Sequence, residues 1–302
     1  MQSIRLFFSL LILTAVVGAA QPACGGHGDS STMVVSTPWL AQHLHDPDLL
    51  ILFVGQKPDY DKSHIPGALY LAYSDIQAPP VDHALTLELP PMPQLAEVFE
   101  KLGAGNDSHI VLYVSKGINA GMTRVYLTLD TMGLGTHTSV LNGGFSHWQS
   151  EGRAESTEVR PVKRGKLQLC PRTDTIVDAA YVRANLHHAG VDIVDARDPQ
   201  YYTGAAVSPG KRAGHIPGAG NLTFSTLIDV DGKLNPVDKL RQQFAAAGFH
   251  TGDRVVSYCH IGQQATMVYF AARYLGLDAR LYDGSWEDWS AHPELPVEVE
   301  KQ

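Results

Sequence analysis

Short runs in which nearly every position is apolar, bounded by polar residues, recur along the chain. IVLYV at 110–114 and RVVSY at 254–258 are of this kind. Both read as strands buried on two faces, because a strand with one wet face would alternate apolar with polar. Other stretches have helical spacing. TPWLAQHL at 37–44 and DAAYVRANL at 178–186 predict short amphipathic helices, the first starting at Thr37 ahead of Pro38 and the second at Asp178. QATMVYFAARYLG at 264–276 is longer and equally compatible with a helix. Strands that alternate with helices predict an α/β fold around a parallel sheet. Ligands of such sheets bind beyond the carboxyl ends of the strands.

The pattern also repeats. DLLILFVGQKPDY at 48–60 and VDIVDARDPQYY at 191–202 each precede a nearly identical block, SHIPGALYL at 63–71 and GHIPGAGNL at 214–222. HIVLYVSKGINAGMTR, from 109, matches DRVVSYCHIGQQATMV, from 253, and VLNGGFSHW at 140–148 matches LYDGSWEDW at 281–289. Four blocks in one order mean two copies of one domain of about 120 residues, an ordinary domain size. The copies span 33–150 and 175–302. The segment between them, 151–174, is polar and has no sustained period, so it reads as a linker.

The first twenty residues stand apart. Arg5, the apolar run LFFSLLILTAVV and the small residues Gly18 and Ala20 have the order of a secretory signal peptide, with cleavage expected before Gln21. The run is short for a membrane span, so an exported protein, periplasmic or secreted and without membrane insertion after cleavage, is the expectation. QPAC, ending at Cys24, lacks the aliphatic and small residues of a lipidation site. Hydrophobic residues make up 44% of the 302-residue chain, and the net charge is -8. Two packed domains are therefore expected, and a nucleic-acid binder, which needs a basic face for phosphates, is not.

The cysteines are Cys24, Cys170 and Cys259. They form no zinc motif and no disulfide scaffold. Cys24 and Cys170 fall in tail-like and linker-like sequence, where they could pair with each other. Cys259 ends the strand run of the second copy and is followed by His260, Ile261, Gly262, Gln263, Gln264 and Ala265. A loop at that place aims backbone N–H groups inward at the start of a helix, where donors and dipole stabilise an anion. A thiolate there is expected to have a lowered pKa and to be nucleophilic. The competing reading is a core cysteine at a strand end. It is disfavoured by the polar, Gly-containing residues that follow, and by the first copy, which has Ser115 where the motif alignment puts Cys259.

DARD, GHIPGA, YCHIGQQA and YDGSWEDW, in this order, resemble the rhodanese-domain family, and the doubling resembles its tandem sulfurtransferases. The resemblance implies two tandem rhodanese-like domains, each a parallel sheet flanked by helices. It implies an inactive first copy and an active second copy carrying a persulfide on Cys259 within the loop 260–265. Neither a metal nor an organic cofactor is implied. The implied partners are a small anionic sulfur donor such as thiosulfate and a thiophilic acceptor, cyanide or a thiol, with a protein acceptor left open. The first copy also has VGQK at 54–57 where the alignment puts VDAR at 194–197. Asp195 and Arg197 are expected to pair beneath the site. His215 is expected to anchor a turn, because the inactive copy keeps it as His64. Trp148 matches Trp289, which suggests core.

The sequence departs from the family at the donor site. Tyr201 stands where many active members have an Arg for the anionic donor. His260 and Ile261 match neither the basic pair often linked with thiosulfate nor the Gly-Ser pair often linked with mercaptopyruvate. Lys211 and Arg212 are the remaining candidates for positive charge. Two rival readings follow. A phosphatase or arsenate reductase would need a longer loop closed by Arg, whereas this loop closes with Ala265. A persulfide carrier or binding module would keep the thiol and turn over poorly.

Overall fold

The computed structural model describes residues 32–79, 81 and 85–300. The N-terminal segment read as a signal peptide, and Cys24, lie outside the described residues. The first copy runs β1 (Val34–Val35), α1 (Thr37–His43), β2 (Leu49–Val54), α2 (Lys57–Lys62), β3 (Leu69–Leu71), α3 (Met92–Lys101), β4 (His109–Tyr113), α4 (Ala120–Thr131), β5 (Thr138–Leu141) and α5 (Gly144–Ser150). The second runs β6 (Ile176–Val177), α6 (Ala179–Ala184), β7 (Val191–Asp195), α7 (Pro199–Tyr202), β8 (Gly220–Asn221), α8 (Val237–Ala246), β9 (Arg254–Tyr258), α9 (Ala265–Tyr274), β10 (Ala279–Tyr282) and α10 (Ser285–Ala291). Among the described residues each copy has one five-stranded parallel sheet, ordered β1-β5-β4-β2-β3 and β6-β10-β9-β7-β8. This is the α/β architecture that the alternation predicts. No helix of the described residues is long and apolar enough to cross a membrane.

The apolar runs split by the strand period of two. In β2, Leu50, Leu52 and Val54 enter a central core, while Ile51 and Phe53 enter an outer one with Leu40, Tyr60 and Trp148. The second sheet has its own outer core around Tyr258, Trp286 and Trp289. The central core belongs to both copies, because α4 and α9 pack against each other between the sheets. Every residue of α4 from Met122 to Thr131 is buried, as is α9 from Ala265 to Arg273. A helix that is buried all round has no wet face to mark it. The seam is fastened at one end by Thr123 and Thr266, whose hydroxyls lie 2.7 Å apart, and in the middle by Tyr126 and Phe270, edge to face at 4.8 Å. At the other end Asp130, buried, accepts from Tyr269 Oη and pairs with Arg172 at 3.0 Å and Arg273 at 3.3 Å.

The linker has no regular element but is pinned along the first copy. Ser156 and His64 exchange backbone hydrogen bonds at 2.9 Å, Gly165 N–H donates to Glu100 O, and Leu167 N–H to the Glu100 carboxylate. Leu167 and Leu169 pack on the central core. Cys170 is disulfide-bonded and Cys259 is free. At the helix starts, Asp178 caps α6 by accepting the Tyr181 N–H at 2.8 Å, as expected. The cap of α1 is Ser36, one residue earlier than expected, and Thr37 is the first helical residue.

The shared hydrogen bonds fix how the copies correspond. Tyr113 Oη accepts the Ile65 N–H at 3.2 Å, as Tyr258 Oη accepts that of Ile216 at 3.0 Å. The Phe145 N–H donates to Val114 O, as that of Trp286 does to Cys259 O. Gly117 and Gly262 both have positive φ, +64° and +77°. These pairs correct the motif alignment by one position. Val114 occupies the place of Cys259, and Ser115 that of His260. The β2–β4 and β7–β9 registers likewise put Phe53 opposite Tyr113 and Asp195 opposite Tyr258. Phe53 and Gly55 therefore stand where the second copy has Asp195 and Arg197. The first copy still has no thiol at its loop, and it has an aromatic ring in place of an ion pair.

Candidate active site

β9 lies between β7 and β10. The chain leaves β7 for β8 on one side and returns to β9 on the other, so the carboxyl ends of β7 and β9 flank the switch point where parallel sheets open a crevice. Cys259 follows β9 directly, with no exposed surface. The backbone N–H groups of Ala265, Ile261, Gly262 and Gln264 face its sulfur and favour its anion, and α9 starts at Ala265 with its positive dipole end toward it. Gly262 must be glycine. Its φ is positive, and a Cβ there would lie 2.5 Å from Asp283 O.

The cradle expected from the sequence is present, yet the thiol is not acidified in the closed site. Burial pushes the Cys259 thiol up, and the four amides pull it back only in part. A charge in a water-free interior loses its hydration, and here that loss outweighs the donors. The expectation of a lowered pKa is therefore corrected.

Ser285 was not singled out from the sequence. Its φ of +53° lies in the left-handed region, a strain of about 1 kcal/mol or more for a non-glycine residue. Its hydroxyl accepts the Cys259 N–H at 3.1 Å and donates to Tyr282 O at 2.9 Å. The first copy has Gly144, at φ +63°, in the same place. The second copy tolerates the strain and gains a hydroxyl that holds the cysteine backbone. Gly144 against Ser285 in the two tryptophan motifs was the available signal.

Asp195 and Arg197 are both fully buried. Arg197 Nε lies 2.9 and 3.0 Å from the two carboxylate oxygens, and Nη2 lies 2.6 Å from Oδ2 and 2.8 Å from Gly214 O. Asp195 also accepts the Tyr258 hydroxyl at 2.8 Å. Arg197 lies over the Trp286 ring at 4.5 Å. The pair sits beneath the loop as expected, with few polar atoms left unsatisfied. Removing either partner would strand the other charge, at a cost of about 3–5 kcal/mol.

A segment that only the second copy has packs beside the loop. Four positions separate Tyr60 from His64, but thirteen separate Tyr202 from His215. Tyr60 stacks on His64 at 4.0 Å and Tyr202 on His215 at 3.8 Å, and each histidine donates from Nδ1 to its tyrosine's carbonyl at 2.8 Å. His215 is thus a turn anchor. The inserted residues bring Ser208 Oγ to 3.4 Å from His260 Nδ1 and Lys211 Nζ to 3.5 Å from Glu287 O. Tyr201 meets the His260 ring edge-on at 4.6 Å. Burial, then the Arg197 charge, shifts His260 down from the ordinary imidazole value, which favours the neutral ring. The Arg212 guanidinium donates to Trp289 O and Leu295 O, both at 2.8 Å, and its carbonyl accepts the Trp286 indole N–H. It ties down the C-terminal segment, which leaves Lys211 as the inserted cation beside the loop.

The first copy reaches the same loop. Tyr73 Oη accepts from the Gln263 amide at 3.1 Å, and Thr86 donates through its N–H at 2.7 Å and its hydroxyl at 2.9 Å to the Glu287 carboxylate. Among the described residues, Asp192, His250 and Asp253 could offer ligand atoms to a metal ion within 4.8 Å of one another. They lie at the opposite end of the sheet from Cys259.

Alkylation of Cys259 by iodoacetamide is expected to be slow at pH 7 and to climb with pH to a midpoint above that of an unburied thiol, because the folded-state pKa is raised. A midpoint below 8 in the rate–pH profile, against a usual thiol pKa of about 8.5, would contradict the burial argument.

The geometry agrees with what comparison with known proteins shows. The rhodanese-like domain model matches residues 36–151 and 178–292. A 3-mercaptopyruvate sulfurtransferase of Escherichia coli is 30% identical over 289 residues, covering 90% of this chain and 100% of that protein. A sulfur carrier protein, TtuD, of Thermus thermophilus is 31% identical over 284 residues, covering 88% and 96%. The crystal structure of SseA from Escherichia coli, described as a 3-mercaptopyruvate sulfotransferase with the rhodanese fold, is 27% identical, with a TM-score of 0.73 over 84% of this chain and 99% of that one. With two matched domains over most of its length, and a cysteine loop in the second, the chain belongs to the rhodanese family as a tandem sulfurtransferase.

Proposed function

We propose that the protein moves sulfane sulfur from a small anionic donor, thiosulfate or 3-mercaptopyruvate, to a thiophilic acceptor through a persulfide on Cys259. The observation that carries this reading is the convergence of four backbone amides on a fully buried sulfur. With thiosulfate, the Cys259 thiol first loses its proton to solvent. The thiolate attacks the outer sulfur, the S–S bond breaks, and sulfite leaves with the electron pair. The terminal sulfur of the persulfide carries the negative charge, and the loop amides that face Cys259 are placed to stabilise it. An acceptor such as cyanide then attacks that sulfur, leaves as thiocyanate and returns the thiolate. Lys211 is the cation placed to draw an anionic donor to the crevice mouth, with Tyr201 and His260 as its wall. The first copy is the non-catalytic scaffold, since Val114 replaces the thiol.

A second reading, a persulfide carrier, is favoured by the likeness to TtuD and by the absence of exposed surface on Cys259. Steady-state kinetics separate the two. The enzyme reading expects parallel double-reciprocal lines for donor and cyanide, the mark of a ping-pong mechanism. Cys259→Ser should lose on the order of a thousandfold or more in turnover. A single turnover with no steady state, for both donors, would leave the carrier reading.

The export reading rests on the pattern around Arg5, Gly18 and Ala20 and on the disulfide at Cys170, a bond that persists in oxidising compartments. When the full-length chain is expressed in a bacterial host with an outer membrane, the intact mass of the periplasmic or secreted protein should correspond to a start at Gln21. A full-length mass confined to the cytosol would overturn it.

A further inference from the structure

Arg124 lies on α4, in the copy without a thiol, and is 1% exposed. A buried guanidinium is costly unless each branch is paired. Nη1 donates to the Gly262 carbonyl at 3.2 Å and to Asp283 Oδ1, while Nη2 lies 3.1 Å from Asp283 Oδ2 and donates to Leu87 O. Gly262 and Asp283 belong to the second copy, Leu87 to the first. One side chain thus ties together the cysteine loop, the turn after β10 and the segment that crosses from the first copy. Nothing in the duplication requires it, because the residue of α9 at the same helical position is Tyr269.

The loop amides stabilise an anion only while their N–H groups face the sulfur. Gly262 is the loop's most permissive hinge, since glycine alone moves freely between left- and right-handed backbone. A guanidinium on its carbonyl, itself oriented by a carboxylate, removes that freedom. The bidentate pairing with Asp283 offsets much of the Arg124 charge, so geometry is the larger contribution and the field at the sulfur the smaller.

We propose that Arg124 is a positioning residue for the nucleophile of the other copy: by holding the Gly262 carbonyl it keeps the loop amides aimed at Cys259 sulfur. The inference rests on the reading of Cys259 as the nucleophile but not on any donor. It gives the first copy a specific part in the chemistry beyond packing. It also accounts for positive charge being kept under the loop while Tyr201, His260 and Ile261 leave the donor side without arginine.

The test is the pH profile of Cys259 alkylation by iodoacetamide, on the full folded protein, followed by mass spectrometry. Arg124→Gln should raise the midpoint by about one pH unit, a tenfold smaller thiolate fraction at fixed pH. Arg124→Lys, which keeps charge and one donor toward Gly262, should fall between. Asp130→Asn serves as the control, because it loosens the buried cluster at the far end of the α4–α9 seam. It should lower the melting temperature and leave the midpoint alone. A midpoint unchanged in Arg124→Gln, or in Arg124→Lys if the first variant does not fold, would overturn the proposal and leave Arg124 a structural cross-link. Alkylation needs no sulfur donor, so a failure of sulfur transfer in the wild-type protein is read separately.

Discussion

A thiol with no exposed surface depends on what the surrounding backbone offers its anion. Cys259 is such a group. Its thiol is held up by burial, and its anion is favoured only by the amides of Ile261, Gly262, Gln264 and Ala265. These donors act at full strength because no water competes, and for the same reason they must already be in place. Much of the surrounding structure serves that requirement. β9 delivers the cysteine, α9 supplies the dipole end, Ser285 holds the cysteine N–H, and the Asp195–Arg197 pair with Tyr258 makes a rigid floor.

Duplication supplies the rest. The copies share sheet order, histidine anchors, tryptophan positions and a loop of the same length, and they differ where chemistry would need it. Val114, Phe53, Gly55 and Gly144 in the first copy stand for Cys259, Asp195, Arg197 and Ser285 in the second. The Phe53 ring meets Tyr113 edge-on at 5.3 Å, where the second copy joins Tyr258 to a carboxylate by a hydrogen bond. An apolar contact costs no desolvation, so the first copy gains packing where the second keeps a buried charge pair. The freed copy then turns its own helix and loops toward the second, through Tyr73, Thr86 and Arg124.

Most of the fold was legible because it is written twice. The repeated HIPGA and tryptophan blocks gave the domain count, and the apolar runs between polar loops gave the parallel sheets. The site was legible through the residue types of the loop after Cys259. Its one-residue misalignment in the first copy arose because Ser115 resembles cysteine in chemistry, whereas Val114 looks like the end of a strand, which it is. The hydrogen bonds of Tyr113 and Tyr258, with those of Phe145 and Trp286, settle the register. Arg124 was hidden because two of its partners, Gly262 and Asp283, are more than a hundred residues away in the other copy, and its helix has no exposed face to betray the odd charge. Ser285 was hidden because a serine by itself gives no sign of a positive φ; only its match with Gly144 does. The direction of the Cys259 shift needed the degree of burial, a property of the packed whole rather than of the loop.

The measurement that bears most directly on this account is intact and peptide mass spectrometry of the reduced protein after brief incubation with thiosulfate or 3-mercaptopyruvate, beside Cys259→Ser. The account predicts one added sulfur per chain, confined to the peptide that contains Cys259, absent from the variant and removed by cyanide with release of thiocyanate. Sulfur found on another residue, or none from either donor, would contradict it.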